Sequence, residues 1–75
     1  MAKTFSGKEI IRILVREFGF RIIRQKGSHV KLKKVSPREG YTTVVPLHRE
    51  VAMGTLRGVL RLANVDYNAF IERSR

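Results

Sequence analysis

Phe20-Arg-Ile-Ile-Arg-Gln-Lys-Gly-Ser-His-Val-Lys-Leu-Lys33 reads as two strands folded back on a glycine turn. In the second run Val30 and Leu32 point one way while His29, Lys31 and Lys33 point the other. A three-residue loop with Gly27 in the left-handed position pairs Ile22 with Val30 and Phe20 with Leu32, apolar against apolar. A two-residue Lys26-Gly27 turn instead sets Ile22 against Lys31 and mixes the faces. The three-residue loop is therefore expected, with His29 on the outward face beside Arg21, Ile23 and Lys31.

Outward from this hairpin the chain supplies a helix on each side and one more strand. Ser6-Gly7-Lys8-Glu9 has the form of a capping box, and Phe5 and Ile10 hold the positions of a hydrophobic staple. Ile10, Ile11, Leu14, Val15 and Phe18 then recur at helical spacing until Gly19, which predicts a first helix over residues 7–18. Ser36-Pro-Arg-Glu-Gly40 is a turn cluster, and Tyr41-Thr-Thr-Val-Val45 is a β-branched strand ended by Pro46. A second helix starting near 52–55 is expected to bury Met53, Leu56, Val59, Leu60 and Ala63, with Asn64 just beyond its end. Asp66 caps a short last helical segment, Tyr67 to about Arg73. The order is α-β-β-β-α with an extra terminal turn. It predicts an α+β fold, with two helices on one face of a three-stranded antiparallel sheet and a wet, basic opposite face.

The chain has 75 residues, 16 Lys+Arg against 6 Asp+Glu, and a formal net charge of +10. This length predicts a single domain over residues 1–75. A hydrophobic fraction of 43% is too high for a disordered tail and enough for one modest core. A domain this small buries only about 60% of its unfolded surface, so a deep pocket for a large cofactor is not expected. The absence of cysteine excludes disulfides, thiolate zinc sites, iron–sulfur clusters and cysteine nucleophiles. Apolar runs no longer than Ile13-Leu14-Val15 fall far short of a membrane span or signal segment, and a soluble, cytoplasmic protein is expected. The charge is also uneven. Arg21, Arg24, Lys26, Lys31, Lys33, Lys34 and Arg38 follow one another without an acid. A surface kept basic for solubility alone normally mixes the two signs. A polyanionic partner is indicated, nucleic acid above all.

Ser6-Gly-Lys-Glu-Ile at a helix start, Gly19-Phe20, and Arg24-Gln-Lys-Gly-Ser-His29 together resemble the HicA toxin family of mRNA interferases. Val45-Pro-Leu-His48, Met53-Gly-Thr-Leu-Arg57 and Asp66-Tyr-Asn-Ala-Phe70 continue the resemblance in the right order, so it spans Ser6 to Phe70. It implies a fold like the double-stranded-RNA-binding domain, in agreement with the element order read from the residues. It also implies a small ribonuclease toxin acting on mRNA and restrained by a HicB-like antitoxin.

Taken alone, His29 is an ordinary exposed strand histidine. Its place after a glycine turn, on the outward face and among cations that bind phosphate, favours chemistry. RNA carries its own nucleophile in the 2′-hydroxyl, so a metal-free ribonuclease needs mainly a base, an acid and charge stabilisation. Imidazole is the side chain suited to accept a proton near neutrality. The resemblance places the catalytic role on His29. His48 is a possible second catalytic residue. It falls opposite His29 if Leu32 pairs with Val45, and off the strand end if Leu32 pairs with Val44. The residues by themselves favour the plainer reading, a loop or partner-contact residue. Gly27 and Ser28 make the turn preceding the catalytic histidine. Arg21, Arg24, Lys26, Lys31 and Lys33 are the expected RNA-binding cations, with Arg57 and Arg61 on the second helix as a further phosphate rail or a surface for an acidic partner. Two histidines and scattered acids suggest no metal, and no cofactor is expected. The alternatives are a non-catalytic double-stranded RNA-binding module and a ribosomal-type basic protein. The former usually places a lysine cluster where this chain has Met53-Gly-Thr-Leu-Arg57.

Overall fold

A computed structural model describes residues 4–37 and 39–75; Arg38, one of the uninterrupted cations, lies outside the described residues. The elements are α1 (Gly7–Phe18), β1 (Arg21–Lys26), β2 (His29–Val35), β3 (Gly40–Pro46), α2 (Met53–Ala63) and α3 (Tyr67–Arg73). The strands form one antiparallel sheet in the order β1-β2-β3. This is the expected α-β-β-β-α arrangement, with each strand a residue or two longer than its sequence signal.

Local chemistry sets the helix limits. The Ser6 hydroxyl accepts from the Glu9 N–H at 3.1 Å, and the Glu9 carboxylate accepts from the Ser6 N–H at 2.9 Å. Gly19 closes α1 in the left-handed conformation at φ 77°, and Asn64 closes α2 in the same way at φ 56°. The Asp66 carboxylate caps α3 by accepting from the Ala69 N–H at 3.0 Å. Ala52 caps α2 without a side-chain bond, so packing rather than capping sets where that helix starts.

Val30, Leu32 and Val45 point from the sheet into a core with Ile10, Ile13 and Leu14 of α1 and Leu56, Val59, Leu60 and Ala63 of α2. Phe70 of α3 is fully buried, edge-on to Phe5 with ring centroids 5.3 Å apart, and it ties the C-terminal turn to the start of the chain. Three helix positions differ from expectation. Val15 and Met53 are 37% and 39% exposed, while Ile13 is buried. The seam of α1 runs through Ile10, Ile13 and Leu14, and Val15 lies on its flank.

The strand registers also differ from those expected. The hairpin turns on two residues, Gly27 and Ser28, with Lys26 opposite His29, Gln25 opposite Val30 and Arg24 opposite Lys31. Gly27 has φ 59° at the first central position, which a type II′ turn reserves for glycine. A bulge between Ile22 and Arg24 leaves Ile23 unpaired and returns Ile22 to Leu32 and Arg21 to Lys33. The three-residue loop is thus replaced by a tight turn plus a bulge, which keeps the faces sorted while shortening the loop. Neither expected β2–β3 register occurs. Leu32 pairs with Thr43, Val30 with Val45 and His29 with Pro46. This turns Val44 out and Thr43 in. Thr43 is fully buried because its hydroxyl donates to the Val59 carbonyl of α2 at 2.8 Å. A buried hydroxyl with such a partner avoids the desolvation cost of an unpaired one.

Candidate functional site

The bulge and the tight turn together decide what surrounds His29. Once Ile23 is unpaired, Arg24 and Lys26 stand on the outward face across from Lys31 and His29. These four side chains and Val44 line a shallow depression of about 260 Å³. The expected neighbours Arg21 and Ile23 are displaced. Arg21 pairs with Lys33 farther along the same basic face, and Lys31 alone keeps its predicted place. Val44 was not legible as a site residue, because the alternation of Tyr41-Thr-Thr-Val-Val45 does not say which valine turns outward.

Among the described residues the walls of the depression carry three basic side chains and no carboxylate. Like charges held this close repel one another, and a phosphate between them relieves that repulsion. His29 is exposed and its imidazole is open to solvent. The arrangement can therefore hold an anionic backbone against a proton acceptor, with an aliphatic contact from Val44 beside it.

His48 sits two residues beyond Pro46, outside the ladder, and does not line the depression. Its main chain is nonetheless firmly held. The Leu47 N–H donates to the Ser28 carbonyl at 2.7 Å, and the Gly7 N–H donates to the His48 carbonyl at 2.9 Å. The His48 segment thus fastens the start of α1 to the turn that precedes His29. Gly27 and Ser28 take the role expected of them as turn residues.

Arg57 and Arg61 lie apart from this site. They line a different hollow with Tyr67 and Asp66 on the α2–α3 side, and the Arg57 guanidinium stacks 4.2 Å from the centroid of the Tyr67 ring. Lys34 turns the other way from Lys33, toward Tyr41, and is half-buried. Among the described residues no three His, Asp or Glu side chains gather as metal ligands. No helix among them is long and apolar enough to cross a membrane.

The fold and the depression define a small α+β protein whose open sheet face is basic and carries a single imidazole. Residues 7–65 match the family model described as the HicA toxin of bacterial toxin-antitoxin systems, and the chain belongs to that family. A comparison with curated proteins gave no match.

Proposed function

We propose that the protein is the ribonuclease toxin of its toxin–antitoxin pair and cleaves mRNA in the cytoplasm with His29 as general base. The observation that carries this reading is the exposed His29 imidazole in a depression otherwise walled by Arg24, Lys26, Lys31 and Val44. RNA lies along the outward sheet face, and its backbone phosphates are drawn to these cations and to Arg21 and Lys33 beyond them. His29 takes the proton of the 2′-hydroxyl as that oxygen bonds to the adjacent phosphorus. The P–O5′ bond breaks, and the 5′-oxygen receives a proton from water or a second acid. Arg24 and Lys31 stabilise the charge that builds on the phosphorane oxygens. The chemistry needs no metal, in keeping with the scattered acids of the chain. A HicB-like antitoxin restrains the activity by covering this face.

The test combines three measurements on the purified protein. His29→Ala should slow cleavage of an RNA substrate by about 10²–10⁴-fold, the usual loss for a general base. Cleavage by the wild type should continue in EDTA and stop when the scissile nucleotide is 2′-deoxy. A His29→Ala protein that cleaves at the wild-type rate removes the base from the mechanism. Retained RNA binding with no cleavage by the wild type supports the non-catalytic binding module instead.

A further inference from the structure

On the helix side of β1 a second hollow, about 410 Å³, opens between this strand and α1. Its floor is aliphatic, made by Ile11, Val15, Ile22 and Leu47. Its rim carries Lys8, Arg12 and Arg16, spaced four residues apart on α1, and no acidic residue is among its described walls. Every residue of β1 is exposed; Ile22 is 57% and Ile23 45% open to solvent. One edge of β1 bonds to β2, and the other meets no described strand. Among the described residues, β1 therefore presents an unpaired edge with an apolar, cation-rimmed groove on one side and the Arg24–Lys26 pair of the His29 depression on the other.

We infer that β1 is a docking edge for an extended, acidic segment of the protein partner, in which apolar and acidic residues alternate. The sheet geometry dictates the alternation. Successive side chains of an added strand point to opposite faces. One set enters the groove over Val15 and Ile22. The other lies over Arg24 and Lys26, beside His29, where carboxylates replace the phosphates of RNA. A second copy of this chain fits poorly, because pairing two β1 edges would bring cations against cations. RNA is a poor occupant of the groove itself. Its floor offers no aromatic ring for stacking, and a nucleic acid cannot complete a strand ladder. The inference rests on the toxin–antitoxin reading for the existence of a partner, and on the β1 edge alone for where and how that partner binds.

Amide hydrogen exchange on the wild-type protein tests the mode of binding directly. The probe is a capped peptide in which valine and glutamate alternate, titrated beside an isomer of equal composition with the valines and glutamates in separate blocks. The alternating peptide should slow exchange along β1 and shift the Val15 and Ile22 methyl resonances, whereas the block isomer should not. Equal effects of both peptides, or none on β1, overturn the inference. In the complex with the antitoxin itself, β1 amides should likewise be protected; exchange as fast as in the free protein overturns it. Val15→Glu and Ile22→Glu alter exposed side chains and should lower antitoxin affinity about tenfold or more, the scale of losing one buried aliphatic contact. Both free variants should cleave RNA as the wild type does. Wild-type antitoxin affinity in both variants overturns the inference, as does protection of the groove by RNA. Absence of cleavage by the wild type counts only against the ribonuclease reading, since the exchange measurements need no activity.

Discussion

Gly7→Ala is expected to destabilise the protein although alanine is the better helix former. Gly7 opens α1 with its N–H bonded to the His48 carbonyl. A Cβ built there falls 2.9 Å from the Leu47 Cα and well inside contact distance of the Pro46 carbonyl oxygen. Both obstacles are main chain and cannot swing aside as a side chain would. Overpacking of this kind costs about 1–3 kcal/mol, and a weakened Gly7–His48 bond adds about 1 kcal/mol. The lower entropy of an unfolded alanine returns less than about 1 kcal/mol. The net loss is about 1–3 kcal/mol, or roughly 5–25 °C in Tm for a domain of this size. Gly58→Ala is the control. Gly58 lies inside α2 with nothing within 4 Å of the added carbon, so that variant should gain about 0.5–1 kcal/mol. Denaturant unfolding followed by circular dichroism reads both. A Gly7→Ala protein as stable as the wild type would refute the close approach of α1 to the Pro46–Leu47 segment. Cleavage should fall along with stability, because that segment is bonded to the turn preceding His29.

His48→Ala should reduce cleavage far less than His29→Ala, with both variants unfolding at the wild-type midpoint; the reverse order of activities would move the base to His48. Arg24→Gln and Lys31→Gln should each reduce the salt dependence of RNA affinity by about one unit of log–log slope, read by titration at several ionic strengths. The same change at Arg61, on the other side of the molecule, should leave that slope alone. Thr43→Val should cost about 1 kcal/mol, since it removes the bond from the Thr43 hydroxyl to the Val59 carbonyl while keeping the shape. A more stable Thr43→Val protein would show that apolar burial outweighs that hydrogen bond.

The limits of α1 and α3, the left-handed end of α2, the element order and the outward placement of His29 were legible in the sequence because each depends on neighbours within a few residues, whereas packing sets the start of α2. A capping box, a left-handed glycine and the Val30–Leu32 alternation act through local sterics and short hydrogen bonds. The family could be read from the same short motifs. The site around His29 was only half legible. Lys31 follows from alternation, but Arg24 and Lys26 replace Arg21 and Ile23 because of the bulge between Ile22 and Arg24. That bulge reconciles a tight Gly27-Ser28 turn with an inward Ile22, a compromise between two distant demands. The β2–β3 register depended in turn on α2. Thr43 rather than Val44 faces inward because the Val59 carbonyl waits there for its hydroxyl, and no pattern within Tyr41-Thr-Thr-Val-Val45 encodes a partner in another element. Placing Val44 beside His29, holding His48 outside the ladder and requiring a glycine at position 7 all follow from contacts between segments far apart in the chain. Periodicity can assign a residue to a face, but only packing selects which residues meet across it.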